Sequence, residues 1–214
     1  MTQNKLKRRY PAGSSKVSKF IMLIILKIEI KYYWRRFNMT KAVWNVDNVH
    51  STIEFTVKHM MISNVKGTFN DFEGTVEADP NDLTDASIDF KIDVSSVDTR
   101  KEGRDDHLRS DDFFDVENHP HITFKATNIE QKSEDHYDIT GDFTIRGTTK
   151  PVTFDVAFEG VAKDPMTGDE AAGFTGSTKI NRKEFGLTWN AALETGGVVV
   201  GDEIKINIEI QIRK

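Results

Sequence analysis

From residue 42 to its end the chain alternates apolar and polar residues with a period of two, and a β-strand is the element that turns such alternation into a one-sided apolar face. The stretch IEFTVKHMMISNVKGTFNDFEGTVE (53–77) opens with Ile53, Phe55 and Val57 on one side and Glu54, Thr56 and Lys58 on the other. The same parity recurs in Ala86, Ile88, Phe90, Ile92 and Val94, and in Tyr137, Ile139, Gly141, Phe143 and Ile145. It recurs again in Val152, Phe154, Val156 and Phe158, and in Ile204, Ile206, Ile208, Ile210 and Ile212. These patterns predict strands at 42–47, 51–59, 65–77, 85–95, 121–129, 136–146, 151–161, 171–181 and 203–213. Within 65–77 the parity slips between Phe69 and Phe72, which predicts a bulge or sharp bend near Asn70-Asp71.

About nine strands at short spacing imply an all-β fold, an antiparallel barrel or sandwich. Glycines inside the strands (Gly67, Gly74, Gly141, Gly160, Gly173, Gly176) favour a tightly coiled barrel. Two stretches break the pattern. In 95–124, Thr99 and Glu102 have the spacing of a capping box and Asp105 and Arg109 that of an i, i+4 ion pair. A short helix near 100–110 is expected, then a turn with Phe113 and Phe114, before Pro120 excludes further helix. Residues 181–203 form a long loop, the kind that covers or frames the opening of a barrel.

Charge divides the chain. Residues 1–38 hold ten Lys/Arg and one acid, a net +9; residues 39–214 hold 19 basic and 33 acidic residues, a net −14, within a total of −5. So acidic a domain is a poor partner for nucleic acid or an anionic membrane surface. The apolar run Phe20–Leu26 is seven residues long, against about 20 for a bilayer-spanning helix. Lysines, arginines and an acid follow it instead of a small-residue cleavage site, which argues against a secretory signal. Residues 1–38 are therefore expected to be a basic appendage, disordered or not native, with the domain starting at Met39 and working in the cytoplasm. The chain has no cysteine, which excludes a disulfide scaffold and thiolate chemistry.

Catalytic constellations are weak. His119-Pro120-His121 resembles a metal pair but lacks a third ligand. His50 and Ser51 are adjacent at the start of a predicted strand, where neighbours face opposite ways, no G-x-S-x-G elbow is present, and neither phosphate-loop motif occurs. Asp47, Asn48 and His50 read better as a tight turn between the first two strands. The charged run from Arg100 to Asp112 is a solvated helix face or a polar rim at the mouth of the barrel.

The segments WNVDNVHSTIEFTVKHMMISNVKGTF (44–69), VDTRKEGRDDHLRSDDFFDVENHPHITF (97–124), GDFTIRGTTKPVTFDV (141–156) and NRKEFGLTW (181–189) resemble the YceI-like family of bacterial lipid-binding proteins, in order and over essentially all of 42–214. The run Arg104-Asp105-x-His107-Leu108 with Asp112-Phe113-Phe114 is the most specific part. His119 departs from the pattern, where an aromatic is expected before the proline. The resemblance implies a lipocalin-like extended barrel of about eight strands, whose interior holds an amphiphile such as an isoprenoid quinone or polyprenyl phosphate. It implies no enzymatic activity and no cofactor or metal, and it allows a homodimer.

The inner-face candidates are Phe55, Val57, Phe69, Phe90, Ile92, Phe124, Phe143, Ile145, Phe154, Phe174 and Leu187, with Phe113 and Phe114 near an opening. Arg104, His107 and Arg182 are the candidates for contact with a polar head group. Two alternatives stay open: a barrel enzyme with acid and base in the 104–112 cluster, and an interaction module whose barrel is filled. Sequence alone does not separate a hollow barrel from a filled one.

Overall fold

The computed structural model describes residues 41–79, 82–194 and 196–214, so the expected appendage 1–38 lies outside the described residues. Among the described residues eleven strands form one antiparallel sheet. They are β1 (Ala42–Val46), β2 (Thr52–His59), β3 (Ser63–Phe69), β4 (Phe72–Asp79), β5 (Asp82–Asp93), β6 (Val97–Asp98), β7 (His121–Gln131), β8 (His136–Ile145), β9 (Thr148–Lys163), β10 (Glu170–Asn181) and β11 (Val200–Arg213). The order β1-β4-β5-β7-β8-β9-β10-β11 closes on itself through Asn45↔Arg213 and Val46↔Ile212, giving a barrel of eight strands. β11 also carries β2, which carries β3 and then the short β6.

The expected strands are all present, and the slipped parity has a local cause. β3 ends at Phe69 and β4 starts at Phe72; the two residues between them let both phenylalanines turn inward, where both are buried. Asp47 caps the 3-10 turn Asn48–His50, accepting from the Val49 N–H at 3.1 Å, so β1 and β2 are joined by the tight turn expected there. The helix is α1 (Glu102–Arg109).

Two local readings of that helix are corrected. Its N-cap is Lys101, with no side-chain cap, because the Thr99 hydroxyl is engaged by Asp105 and the helix starts two residues later than a Thr99 capping box requires. Arg109 pairs with Asp106 at 3.1 Å and donates to the carbonyls of Ser95 and Val97, while Asp105 is buried against Thr99. Helix spacing brought Asp105 and Arg109 within reach of each other, but tertiary partners took both.

Strand register assigns the connections to the two ends of the barrel. The pairings His59↔Ser63, Asp93↔His121, Ile145↔Thr148 and Asn181↔Glu203 bring the β2–β3 hairpin, the β5–β7 crossover carrying α1, the β8–β9 turn and the β10–β11 loop to one end, the helix end. At the opposite end Trp44, Tyr137 and Ile212 are buried in the core. Tight coiling uses glycine where a ring crosses the strand: a Cβ on Gly141 would meet the Lys125 carbonyl oxygen and the Phe124 ring, each at 2.5 Å.

Candidate functional site

The inner faces of the strands do not meet. They enclose a cavity of about 200 Å³, lined by aliphatic and aromatic side chains with Arg182 as the single charged residue in its wall. The long strands of the ring and the β2–β3 hairpin beside it contribute: Phe55 and Val57 from β2, Phe69 from β3, Val76 from β4, Phe90 and Ile92 from β5, Phe124 from β7, Phe143 and Ile145 from β8, Phe154 from β9, Phe174 from β10, and Ile204, Ile206, Ile208 and Ile210 from β11. Period-two alternation does this directly, since each strand directs alternate residues to the lumen. The phenylalanines also pack on one another edge to face, as Phe124 does on Phe154 at 5.3 Å and Phe143 on Phe154 at 6.2 Å. The wall is thus stiff as well as apolar.

The helix end is covered. Leu108 of α1, Phe113 and Phe114 of the following turn, and Leu187 of the β10–β11 loop all reach the cavity. A polar network outside the wall fixes α1: Arg104 donates through Nε to the Thr99 hydroxyl (2.6 Å) and through Nη2 to the Thr99 carbonyl (2.7 Å). His107 stacks edge-on against Phe113 and Trp189, with centroids 5.0 and 4.8 Å away, and its Nε2 lies 3.0 Å from Asp112.

Arg182 fixes the long loop. After β10 the chain makes the 3-10 turn Arg182–Phe185 and reverses at Gly186, whose φ of 80° is left-handed and suits glycine. The buried Arg182 guanidinium donates to the backbone carbonyls of Leu187, Trp189 (2.9 Å), Val200 (3.4 Å) and Gly201 (2.9 Å), and Asp202 lies 3.6 Å away. Burial lowers its pKa from the ordinary value, and the Asp202 charge opposes that. The side chain borders the cavity while its polar atoms are committed to the loop.

Fourteen of the sixteen residues singled out from the sequence therefore line the cavity; Arg104 and His107 do not. Arg104 donates to Thr99 through Nε and Nη2, and His107 Nε2 lies against Asp112, so both side chains stand outside the cavity wall. The sequence reading missed Ile204, Ile206, Ile208 and Ile210 as wall residues, although their shared parity was visible. It also missed Leu108, for which an eight-residue helix offers no periodic signal. Among the described residues no group of three or more His, Asp or Glu side chains is arranged to hold a metal ion, and no helix is long and apolar enough to cross a membrane.

Comparison with known proteins agrees with this architecture. The model of the YceI-like domain matches residues 44–212. A UPF0312 protein of Staphylococcus epidermidis is 47% identical over 167 residues, covering 78% of this chain and 94% of that protein. A UPF0312 protein of Staphylococcus aureus is 42% identical over 159 residues, 74% of this chain and 90% of that one. Among solved structures, Burkholderia cenocepacia BcnA superposes with a TM-score of 0.66 at 28% identity, covering 78% of this chain and 98% of that one. The Campylobacter jejuni YCEI protein gives 0.63 at 34% identity, covering 73% and 89%. A polyisoprenoid binding domain from Saccharophagus degradans shares the fold, with a TM-score of 0.60 at 14% identity over 80% of this chain and 98% of that one. A hollow eight-stranded barrel closed by α1 and the Arg182 loop, with these relatives, makes this chain a member of the YceI-like domain family.

Proposed function

We propose that this protein binds a long-chain amphiphilic lipid in its barrel, a polyisoprenoid such as an isoprenoid quinone or a polyprenyl phosphate, and carries or stores it without chemical change. One observation carries the reading: the cavity is large, apolar on all sides, and its single charged lining residue spends four hydrogen bonds on the backbone of the loop. A cavity of about 200 Å³ exceeds the roughly 150 Å³ of a protein cavity of similar lining that takes up benzene. Each buried CH₂ contributes about 0.8 kcal/mol, so one five-carbon isoprene unit gains roughly 3–4 kcal/mol before ordering costs. A few units supply useful affinity with no polar recognition. The Saccharophagus degradans domain that shares this fold is described as polyisoprenoid-binding, in keeping with the reading. The enzymatic alternative loses support because neither Arg104 nor His107 lines the cavity.

The test is to extract the purified full chain with organic solvent and identify the extract by mass spectrometry, beside a Val57→Trp variant that fills the lumen. The expected result is a stoichiometric isoprenoid from the wild type and none from the variant, at unchanged fold. An empty extract, together with no uptake of an added isoprenoid quinone, overturns the proposal.

A further inference from the structure

We propose that the tip of the β2–β3 hairpin, Met60-Met61-Ile62, with the adjoining β10–β11 loop, is a contact with the surface of a lipid bilayer. The inference rests on the reading that the cavity takes a lipid.

The tip is apolar and in water. Met60, Met61 and Ile62 are 40%, 58% and 82% exposed. Single exposed apolar residues are ordinary, and Val43, Val49, Val161 and Met166 are such cases. Three in succession at the end of a hairpin are not.

The tip is also strained. The Ile62 N–H donates to the His59 carbonyl at 3.2 Å, closing a turn whose two central residues, Met60 and Met61, have φ of 50° and 63°. Turns with positive φ at both central positions are the place for Asn-Gly, because side chains with a Cβ resist that conformation. Two methionines there sacrifice local stability, and strain of this kind collects at functional positions. Long thioether side chains also adapt to an irregular apolar surround.

Its position joins it to the cavity. The Met60 N–H donates to the Val199 carbonyl at 2.7 Å, and Leu193, Val198 and Val199 of that loop are half-buried. Val57 and Val200 line the cavity, and Val200 pairs with His59. Met60 lies three residue steps beyond Val57, about 10 Å at strand rise.

A bilayer fits this tip better than a protein. A narrow hairpin end cannot supply the roughly 800 Å² per partner of a stable protein interface. Residues 39–214 carry a net −14, so attraction to anionic head groups is not the driving force. Burial of the three side chains among neutral lipids is, in the manner of interfacial anchors.

Flotation of the full chain with vesicles of phosphatidylcholine alone tests this. These vesicles give the basic residues 1–38 no anionic surface to bind. The wild type is expected to float at low and high salt alike. Met61→Ser with Ile62→Ser should lower partition at least about tenfold, with the extractable ligand and melting temperature unchanged. Met60→Asn with Met61→Gly should raise the melting temperature by relieving the turn and still lose partition. The proposal is overturned if the wild type does not float, if either variant floats as well as it does, or if the variants change sedimentation mass and leave flotation intact. Tip-dependent flotation of a protein that neither yields nor takes up an isoprenoid supports the contact and overturns the reading of the cavity. An isoprenoid-loaded protein that does not float does the reverse.

Discussion

Thr99 and Asp105 hold each other out of water. Both the Thr99 backbone N–H (2.9 Å) and the Thr99 hydroxyl donate to one oxygen of the Asp105 carboxylate, at residues that are 4% and 6% exposed. The pair anchors α1 to β6, and so fixes the cover over the helix end of the cavity. A buried carboxylate is tolerated here because its hydrogen bonds are charge-assisted.

Asp105→Ala should therefore destabilise the protein by about 3 kcal/mol, because it removes a shared acceptor and strands two buried donors. Asp105→Asn should recover part of that loss. Urea unfolding gives the magnitude, and hydrogen exchange of the 102–109 amides should speed up before the strands respond.

Arg182 is the corresponding anchor of the long loop. Arg182→Met keeps an unbranched stem but leaves the carbonyls of Leu187, Trp189 and Gly201 without the guanidinium donor, while Val200 keeps Asn190 and Asp202 keeps Lys183. A loss of about 3–5 kcal/mol is expected. Arg182→Lys should recover little, since one ammonium cannot replace a fork of five donors. Proteolysis within 186–199 should accelerate in both variants.

Gly67 and Gly141 should differ in their tolerance of alanine. At Gly67 the added methyl meets side chains, the Phe55 ring and the Thr99 methyl at 2.8 Å, and Phe55 can swing toward the cavity. Gly67→Ala should cost about 1–3 kcal/mol and reduce uptake of a hydrophobic probe. At Gly141 the obstacle includes backbone, the Lys125 carbonyl, so Gly141→Ala should cost more. Thermal melts of the two variants rank them.

Acid should weaken the end of the barrel where β1 closes on β11. The side chain of Asp47 is largely covered, and burial alone would raise its pKa. The hydrogen bond with His50 and the charge of Arg213 outweigh burial and hold it below its ordinary value of 3.8. A carboxylate with a lowered folded-state pKa stabilises the protein above the unfolded value and loses that contribution as pH falls through the folded one. Between neutral pH and the acid limit, Asp47→Asn should therefore show a flatter loss of stability below about pH 4 than the wild type. Denaturant midpoints across that range check it.

The lumen wall was legible because strand alternation is a local rule. Phe143 and Ile145 must share a face whatever else the chain does, and both line the cavity. The bend at Asn70-Asp71 was legible for the same reason, since only a break in register turns Phe69 and Phe72 to one side. Sequence spacing did not place Arg104 and His107 relative to the cavity, because it says which side chains are neighbours on a helix but not which partner outside the helix they take. Thr99 is such a partner, brought to Arg104 by the pairing of β3 with β6.

By itself, then, the sequence determined the strands, their parity and the apolar character of what they surround, because these follow from residues two apart. Only the tertiary structure decided that the facing rows stand far enough apart to leave a cavity, and that Arg182 and the Thr99–Asp105 pair hold its cover in place. Those outcomes depend on barrel closure through Asn45 and Arg213 and on contacts between residues distant in the chain, for which local spacing carries no signal.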